Sequence, residues 1–399
     1  MHIRRTLPAV AVAAILAGTI ALSAGSNGTL TIAVYGDSPY GTSSTDTTQT
    51  FLTPSFIGSI NADSDVALVL HVGDIHSGKQ FCTQAYDQLI YNLWLSFVGP
   101  LVYTPGDNEW TDCNKKGEGG DVYLDPPTNS MPVDYAAGNP IANLTLIRQI
   151  FFSNPGHTLG QKARQVTTQA QNYDAVNHPT DANYVENVMW EQNGVLFVTI
   201  NLPGGSNNDA DIWFGAASMT QPQTDEIQQR SGADLRWLDA AFGRAAANGD
   251  RAVVIGTQAD MWDRDGRAVD HIDHYDQFIS SIASHTSAFG GPVLLFNGDS
   301  HHFRSDNPLK QGQPCQFESG VGSTTVDCNS IPDPGDGTYT QDAWTNHPYY
   351  NVSNFHRIVV HGSTLPLEWL RVSITPRVSA PRGGNAFGPF LWQRIQPAL

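Results

Sequence analysis

Four short segments of the chain each end a hydrophobic run with Gly-Asp, which puts four carboxylates in similar local settings. A hydrophobic run that stops at glycine is typical of a buried strand, and an acidic residue just past the strand lies where an α/β sheet binds ligands. Carboxylates gathered at one edge repel each other unless a cation balances them. The pattern therefore predicts a metal site formed by Asp37, Asp74, Asp107 and Asp299.

Each Gly-Asp pair has a simpler interpretation as a turn, because aspartate after glycine is common in loops. Four such pairs at strand ends are harder to explain in this way, since further residues that can bind metal or donate hydrogen bonds follow them closely. These neighbours are His76, Asn108, Glu109, His301 and His302. We therefore favour the metal site over four unrelated turns.

The composition limits the possible partners. The chain has 399 residues, with 21 Lys and Arg against 38 Asp and Glu, and a formal net charge of −17. Such a charge argues against a nucleic-acid backbone or an anionic membrane as a partner. It also means that a phosphate substrate would need metal ions to supply positive potential.

The first residues predict export. Arg4 and Arg5 precede an apolar stretch from Leu7 to Leu22, and small residues follow it. This arrangement is typical of a signal peptide, here assigned to residues 1–24, and the apolar stretch is short for a membrane span. We expect a secreted or periplasmic protein with no stable membrane insertion, formed by a single domain over residues 25–399.

The four cysteines lie outside the predicted signal, and none forms a Cys-x-x-Cys pair. An even number of cysteines in an exported chain predicts disulfides rather than zinc ligands. Four cysteines allow three connectivities, and we predict the one in which both bridges close short loops. It joins Cys82 to Cys113 and Cys315 to Cys328.

The chain reads as alternating strands and helices, which is typical of the α/β class. Residues 117–183 are poor in regular periodicity and are predicted to be an insertion over one face of the core. Two late apolar segments, Arg357 to Val360 and Leu370 to Ile374, are predicted to close the fold as an antiparallel pair.

The order of the motifs resembles that of the calcineurin-like metallophosphoesterase superfamily. The segments that carry the resemblance span Leu30 to Asp306, and they are Asp37-Ser38-Pro39, Gly73-Asp74, Gly106-Asp107-Asn108-Glu109, Gln258 and Gly298-Asp299-Ser300-His301. The resemblance implies a β-sandwich of two mixed sheets flanked by helices. It also implies two divalent cations, bridged by Asp74, with Asp37 on one and Asp107 on the other.

In the same resemblance, Gln258, Asp299 and His301 complete the metal ligands. Several positions depart from the family pattern, because the chain has other residues where the family has histidine: Pro39, Asn108, Gln258 and Asp299. Fewer imidazoles and more carboxylates favour manganese, magnesium or calcium, with iron and zinc as alternatives. The purple acid phosphatase branch supplies a tyrosine ligand, a role open to Tyr40, which could instead be a packing residue.

The function that the resemblance implies is metal-dependent hydrolysis of a small-molecule phosphoester. Asn108 can hydrogen-bond a phosphate oxygen but cannot serve as a general acid, because an amide does not give up a proton. His76 or His302 could take that role, or could be histidines without a catalytic part. The alternative is a protein that keeps the fold and binds a metal or an anion without turnover.

Overall fold

Two mixed β-sheets form the centre of the protein. The structure is a computed structural model that describes residues 28–120, 138–209, 212–213, 216–263, 269–310, 312–327, 350–376 and 384–399. In chain order its strands are Leu30–Tyr35 (β1), Val66–His71 (β2), Leu101–Tyr103 (β3), Thr167–Thr168 (β4), Val188–Gln192 (β5), Val195–Thr199 (β6), Ala252–Gly256 (β7), Val293–Asn297 (β8), Arg304–Asp306 (β9), Pro314–Ser319 (β10), Gly322–Asp327 (β11), Phe355–Val359 (β12), Trp369–Ile374 (β13), Ala386–Phe387 (β14) and Phe390–Ile395 (β15).

The strands divide into a six-stranded and a nine-stranded sheet. The six-stranded sheet has the order β14-β15-β13-β1-β2-β3, and the nine-stranded sheet has the order β11-β10-β9-β12-β8-β7-β6-β5-β4. In the first sheet β1, β2 and β3 run parallel to one another. In the second, β6, β7, β8 and β12 are parallel neighbours. Both sheets also contain antiparallel pairs.

Helices cover the outer faces of both sheets. They are Thr48–Ala62 (α1), Gln84–Trp94 (α2), Pro140–Phe151 (α3), Gln221–Asn248 (α4) and Asp276–Phe289 (α5). Gly249 ends α4 with a φ of 68°. Among the described residues no helix is both long and apolar enough to cross a membrane.

Three apolar layers hold the sandwich together. Ile32 and Val34 of β1 face the layer between the sheets, whereas Ala33 and Tyr35 face the layer under α1, α2 and α3. In the other sheet, the layer under α4 and α5 takes alternate residues of β7 and β8. Strands buried on both faces explain why the sequence shows continuous apolar runs here rather than alternation. The predicted α/β class and sandwich of two mixed sheets flanked by helices are confirmed.

The predicted closing pair is wrong. The segment from Phe355 to Val359 lies in the nine-stranded sheet beside β8 and β9, whereas the segment from Trp369 to Ile374 lies in the other sheet beside β1 and β15. Two apolar strands joined by a short connection can form a hairpin or cross between sheets, and their apolar pattern is the same in both cases. The pattern alone therefore could not distinguish the two arrangements.

The region predicted to be an insertion contains a helix that its weak periodicity did not predict. Helix α3 begins after Asn139, whose side chain accepts a hydrogen bond from the backbone N–H of Ala142 at 3.0 Å, and Pro140 occupies its first turn. Asparagine followed by proline is a recognised helix start. The boundaries 117–183 and the single-domain assignment stay predictions.

One of the two predicted disulfides lies within the described residues. Cys82 and Cys113 form a bridge with Cα atoms 5.7 Å apart, which ties α2 to the segment that follows β3. Cys328 lies outside the described residues, so its predicted bridge to Cys315 stays a prediction. The predicted export signal, residues 1–24, also lies outside them.

Candidate metal centre

The carboxyl ends of parallel strands from both sheets meet at one end of the sandwich. Asp37 follows β1, Asp74 follows β2 and Asp107 follows β3, while Gln258 and Asp299 follow β7 and β8. Parallel strands deliver the residues after their carboxyl ends to a common edge. The structure thus places these predicted residues at one end of the sandwich, in loops from both sheets.

The backbone at this edge is strained. Four polar residues have positive φ angles: 49° at Asp37, 60° at Asp74, 75° at Asp299 and 64° at His301. Residues other than glycine adopt this conformation at a cost of about 1–2 kcal/mol each, and such residues cluster at functional sites. The surrounding contacts must therefore hold these four side chains in place.

Two glycines are required because carboxylates pack directly against them. A Cβ atom on Gly106 would lie 1.9 Å from Asp74 Oδ1, and a Cβ atom on Gly298 would lie 2.2 Å from Asp37 Oδ2. No side chain can be added at either position without moving an aspartate. The glycines of these two Gly-Asp motifs thus make room for the aspartates of two other motifs.

Asp37, Asp74 and His301 bring one ligand atom each to within 4.8 Å of one another. His301 Nε2 lies 3.5 Å from Asp37 Oδ1. The two aspartates are buried, with 0% and 2% of their surface exposed. Asp37 Oδ2 is buried and has no hydrogen-bond partner among the described residues. A buried carboxylate oxygen without a partner is costly, and a cation at this point would remove that cost.

Tyr40 lies at the centre of this group. Its hydroxyl donates to Asp74 Oδ2 at 2.5 Å and lies 3.3 Å from His301 Nε2. Asn108 Nδ2 donates to that hydroxyl at 2.8 Å and to Asp74 Oδ2 at 2.9 Å. The sequence leaves Tyr40 open as a ligand or a packing residue, and the contacts of its hydroxyl lie with Asp74, Asn108 and His301.

Burial controls the protonation of the group. Burial raises the pKa of Asp74 well above its ordinary value, and the charges of Asp107, Glu109 and Asp37 raise it further. Burial is also the main cause that raises the pKa of Asp37. The backbone hydrogen bond from Asp299 acts in the opposite direction and lowers that pKa. Both pKa shifts are in the direction expected when buried carboxylates lie close together without a balancing positive charge.

Asp107 and Gln258 form a second part of the site. Gln258 Nε2 donates to Asp107 Oδ1 at 2.8 Å, and Gln258 Oε1 accepts from the backbone N–H of Gly204. A Cβ atom on Gly204 would lie 2.4 Å from Asp299 Oδ1 and 2.9 Å from Asp107 Oδ2, so both carboxylates border this glycine. Asp107 and Asp299 thus flank the group of Asp37, Asp74 and His301.

The loop that carries Gly204 has an unusual conformation. Gly205, Ser206, Asn207 and Asn208 all have φ angles between 58° and 61°. Tyr275 fixes this turn, because its hydroxyl accepts from the N–H of Asn207 at 2.9 Å and donates to the carbonyl of Pro203 at 2.9 Å. The sequence signal for this loop was its run of glycine, serine and asparagine.

His302 points to a different partner from His301. Its Nδ1 lies 2.8 Å from Glu318 Oε1, and Nδ1 of His361 lies 2.8 Å from the other carboxylate oxygen of Glu318. The backbone N–H of Gly362, next to His361, donates to the carbonyl of His301 at 2.9 Å. The sequence does not predict Glu318 or His361, although His361 comes shortly after a buried strand, as the predicted ligands do.

His76 lies in a separate buried cluster. Its ring packs edge-on against Tyr86 at 5.5 Å, and burial lowers its pKa to about 4. His76, Cys82 and Glu118 have potential ligand atoms within 4.8 Å of one another. Cys82 is bonded to Cys113, so its sulfur is not a thiolate and this cluster is not a metal site in the disulfide form.

The group of Asp37, Asp74 and His301 fits a divalent cation. It combines two carboxylates with an imidazole, and the Tyr40 hydroxyl adds a further oxygen. This donor set suits manganese, iron, zinc or magnesium. Within the part of the chain that the structure describes, Asp37 Oδ2 has no hydrogen-bond partner, so this buried oxygen could accept a cation.

Comparison with known proteins adds little to this geometry. No protein-family model and no curated protein matches the chain. One solved structure that does match is a purple acid phosphatase from yellow lupin (Lupinus luteus) seeds, with 10% sequence identity and a TM-score of 0.40. The match covers 93% of this chain and 52% of that chain, so this chain spans about half the length of the lupin protein. At this TM-score the likeness carries no weight for function.

Proposed function

We propose that this protein is an exported, metal-dependent hydrolase of phosphoesters. The observation that carries the proposal is the convergence of Asp37, Asp74 and His301, together with the buried Oδ2 atom of Asp37, which no described residue hydrogen-bonds. The order of the sequence motifs from Leu30 to Asp306 and the sandwich of two mixed sheets support a place in the calcineurin-like superfamily.

Asp37, Asp74 and His301 would hold a cation, with Tyr40 beside them. A bound divalent cation neutralises the carboxylates, attracts a phosphate oxygen and lowers the pKa of water. A second cation at Asp107 and Asp299, as the family resemblance implies, requires the Gln258 amide to turn. In the structure the Gln258 Nε2–H group donates to Asp107 Oδ1, and only the other end of the amide, the Oε1 atom, could bind a cation.

The amide of Asn108 links two other residues of the site. Nδ2 carries two hydrogens, and both are directed to site residues, Tyr40 and Asp74. Asn108 cannot protonate a leaving group, and a missing general acid costs about 10²–10⁴-fold in rate. His302 suits the role of acid better than His76, because 40% of its side chain is exposed whereas His76 is fully buried.

The engaged amide of Asn108 also favours one alternative. A protein that retains the fold and the cation while lacking an acid beside Asp74 would bind a metal or an anion without turning over a substrate. Metal binding without hydrolysis of any phosphoester would support this second function.

The substrate class and location follow from the charge and the predicted signal. We propose a small-molecule phosphoester rather than a nucleic acid, because the net charge of −17 repels a polyanion. Secretion or periplasmic export rests on the predicted signal peptide, and the buried Cys82–Cys113 bridge suits an oxidising compartment.

The proposal is tested with purified protein on a panel of phosphomonoesters and phosphodiesters. Activity should rise with added Mn²⁺, disappear in chelator and fall in Asp74→Asn. A matched control is Glu186→Gln, which removes a buried carboxylate bonded to Arg148 and Asn201 and should retain activity. Hydrolysis that persists in chelator, or that is equal in both variants, would contradict the proposal.

A further inference from the structure

Asp260 contacts two consecutive residues of the segment that carries His301. The backbone N–H of Asp260 donates to Asp299 Oδ2 at 3.0 Å. The carboxylate of Asp260 accepts from the hydroxyl of Ser300 at 2.8 Å. Asp260 lies two residues after Gln258, so the segment after β7 holds the segment after β8 through both its backbone and its side chain.

The Asp260 carboxylate belongs to a buried ionic network. Arg304 Nη2 lies 2.9 Å from its Oδ2 atom, and Arg357 Nη1 bonds to its Oδ1 atom. Arg357 also forms a two-point contact with Asp306, at 2.9 and 2.7 Å. Two carboxylates and two guanidinium groups balance each other in charge. Buried charges are stable only when they are paired and hydrogen-bonded in this way, which gives the network a defined geometry.

The segment beside this network is one that needs support. Asp299 and His301 both have positive φ angles, and Ser300 lies between them. The backbone N–H of Asp299 also donates to Asp37 Oδ1 at 2.9 Å. A movement of Ser300 would therefore shift two proposed metal ligands, Asp299 and His301. It would also weaken the hydrogen bond between Asp299 and Asp37, which is a third proposed ligand.

We propose that Asp260 is a positioning residue for the metal centre, which it serves by anchoring Ser300 and Asp299 so that His301 faces Asp37 and Asp74. This inference rests on the proposed metal site but not on the identity of the substrate. Asp260 does not enter the group of ligands itself. Its effect reaches the cation through the hydrogen bond with Ser300.

Ser300→Ala is the most informative variant, because it removes the hydroxyl and leaves the ion pairs of Asp260 intact. We expect the dissociation constant for Mn²⁺, measured by calorimetry, to rise about 10-fold, as is typical when a partner behind a metal ligand is lost. The melting temperature should change little. Ser300→Thr, which keeps a hydroxyl, should restore affinity close to that of the wild type.

Asp260→Asn should weaken Mn²⁺ binding further and also lower the melting temperature, because it leaves Arg304 and Arg357 short of one negative charge. Glu186→Gln is the matched control, since it breaks a buried ion pair with Arg148 and should lower the melting temperature without changing Mn²⁺ affinity. If Asp260→Asn does not fold, Ser300→Ala and Ser300→Thr decide the question.

Wild-type affinity in Ser300→Ala would overturn the inference while leaving the proposed hydrolase intact. Equal losses in Ser300→Ala and Ser300→Thr would also overturn it, because the hydroxyl would then be irrelevant. A wild-type protein that binds no Mn²⁺ would refute the proposed function and this inference with it.

Discussion

The hydroxyl of Tyr40 donates a hydrogen bond of 2.5 Å to Asp74 Oδ2. This contact joins the loop after β1 to the loop after β2, and Asn108 from the third loop bonds to the same hydroxyl. Three sequence motifs therefore meet at one oxygen atom. The proposed cation site depends on this junction, since Asp74 and His301 both lie beside it.

Tyr40→Phe removes that junction. We expect Mn²⁺ affinity to fall about 10-fold, in line with the loss of a group that orients a metal ligand. The free energy of unfolding should fall by about 1–3 kcal/mol, because Asp74 and Asn108 each lose a buried partner. Tyr86→Phe is the control, since the Tyr86 hydroxyl bonds to the backbone carbonyl groups of Ile75 and Pro39. Equal Mn²⁺ affinity in the two variants would contradict a role for Tyr40 at the site.

Gly106→Ala tests the close packing of the motifs. The new Cβ would lie 1.9 Å from Asp74 Oδ1, so the variant should lose metal binding and also unfold at a lower denaturant concentration. Gly243→Ala is the control, because nothing lies within 4 Å of a Cβ atom there and the residue is in the interior of α4. That variant should gain about 0.5–1 kcal/mol of stability. Unchanged metal affinity in Gly106→Ala would show that Asp74 does not need its observed position.

The sequence predicted the architecture and the strands that the four Gly-Asp aspartates follow, because both depend on local patterns. Buried parallel strands give continuous apolar runs, and Gly-Asp after such a run marks the carboxyl end of the strand. Contacts between distant segments leave no such pattern. Asp260 follows β7 as Gln258 does, yet only the fold shows that it pairs with Arg304 and Arg357. The sequence does not reveal the role of Glu318 for the same reason, since its partners His302 and His361 lie in loops that are distant in the sequence.

The stability of the metal-free protein should depend on pH through Asp74. Its pKa is raised in the folded state, so the folded protein keeps that proton to higher pH than the unfolded chain does. The contribution is fully present below about pH 4, the ordinary value for aspartate, and is lost as the pH rises through the raised pKa. As the pH rises from about 4 towards the raised pKa, the wild type should therefore lose stability relative to Asp74→Asn. Parallel pH profiles of the melting temperature in chelator would contradict this expectation.

Asn108→His tests whether the site lacks only a general acid. An imidazole at this position can protonate a leaving group, so turnover of an alkyl phosphoester should rise by about 10-fold or more. A nitrophenyl phosphoester should respond little, because its leaving group needs no proton. A uniform loss of rate on both substrates would mean that the amide contacts with Tyr40 and Asp74 matter more than the missing proton.

The central claim is that Asp37, Asp74 and His301 bind a divalent cation, and metal analysis tests it most directly. Wild type, Asp74→Asn and His302→Ala are equilibrated with Mn²⁺, freed of unbound metal and measured by mass spectrometry. We predict a stoichiometric amount of metal in the wild type and in His302→Ala, because His302 faces Glu318 rather than the cluster. Asp74→Asn should retain little. Equal metal content in all three proteins, or none in the wild type, would contradict the account.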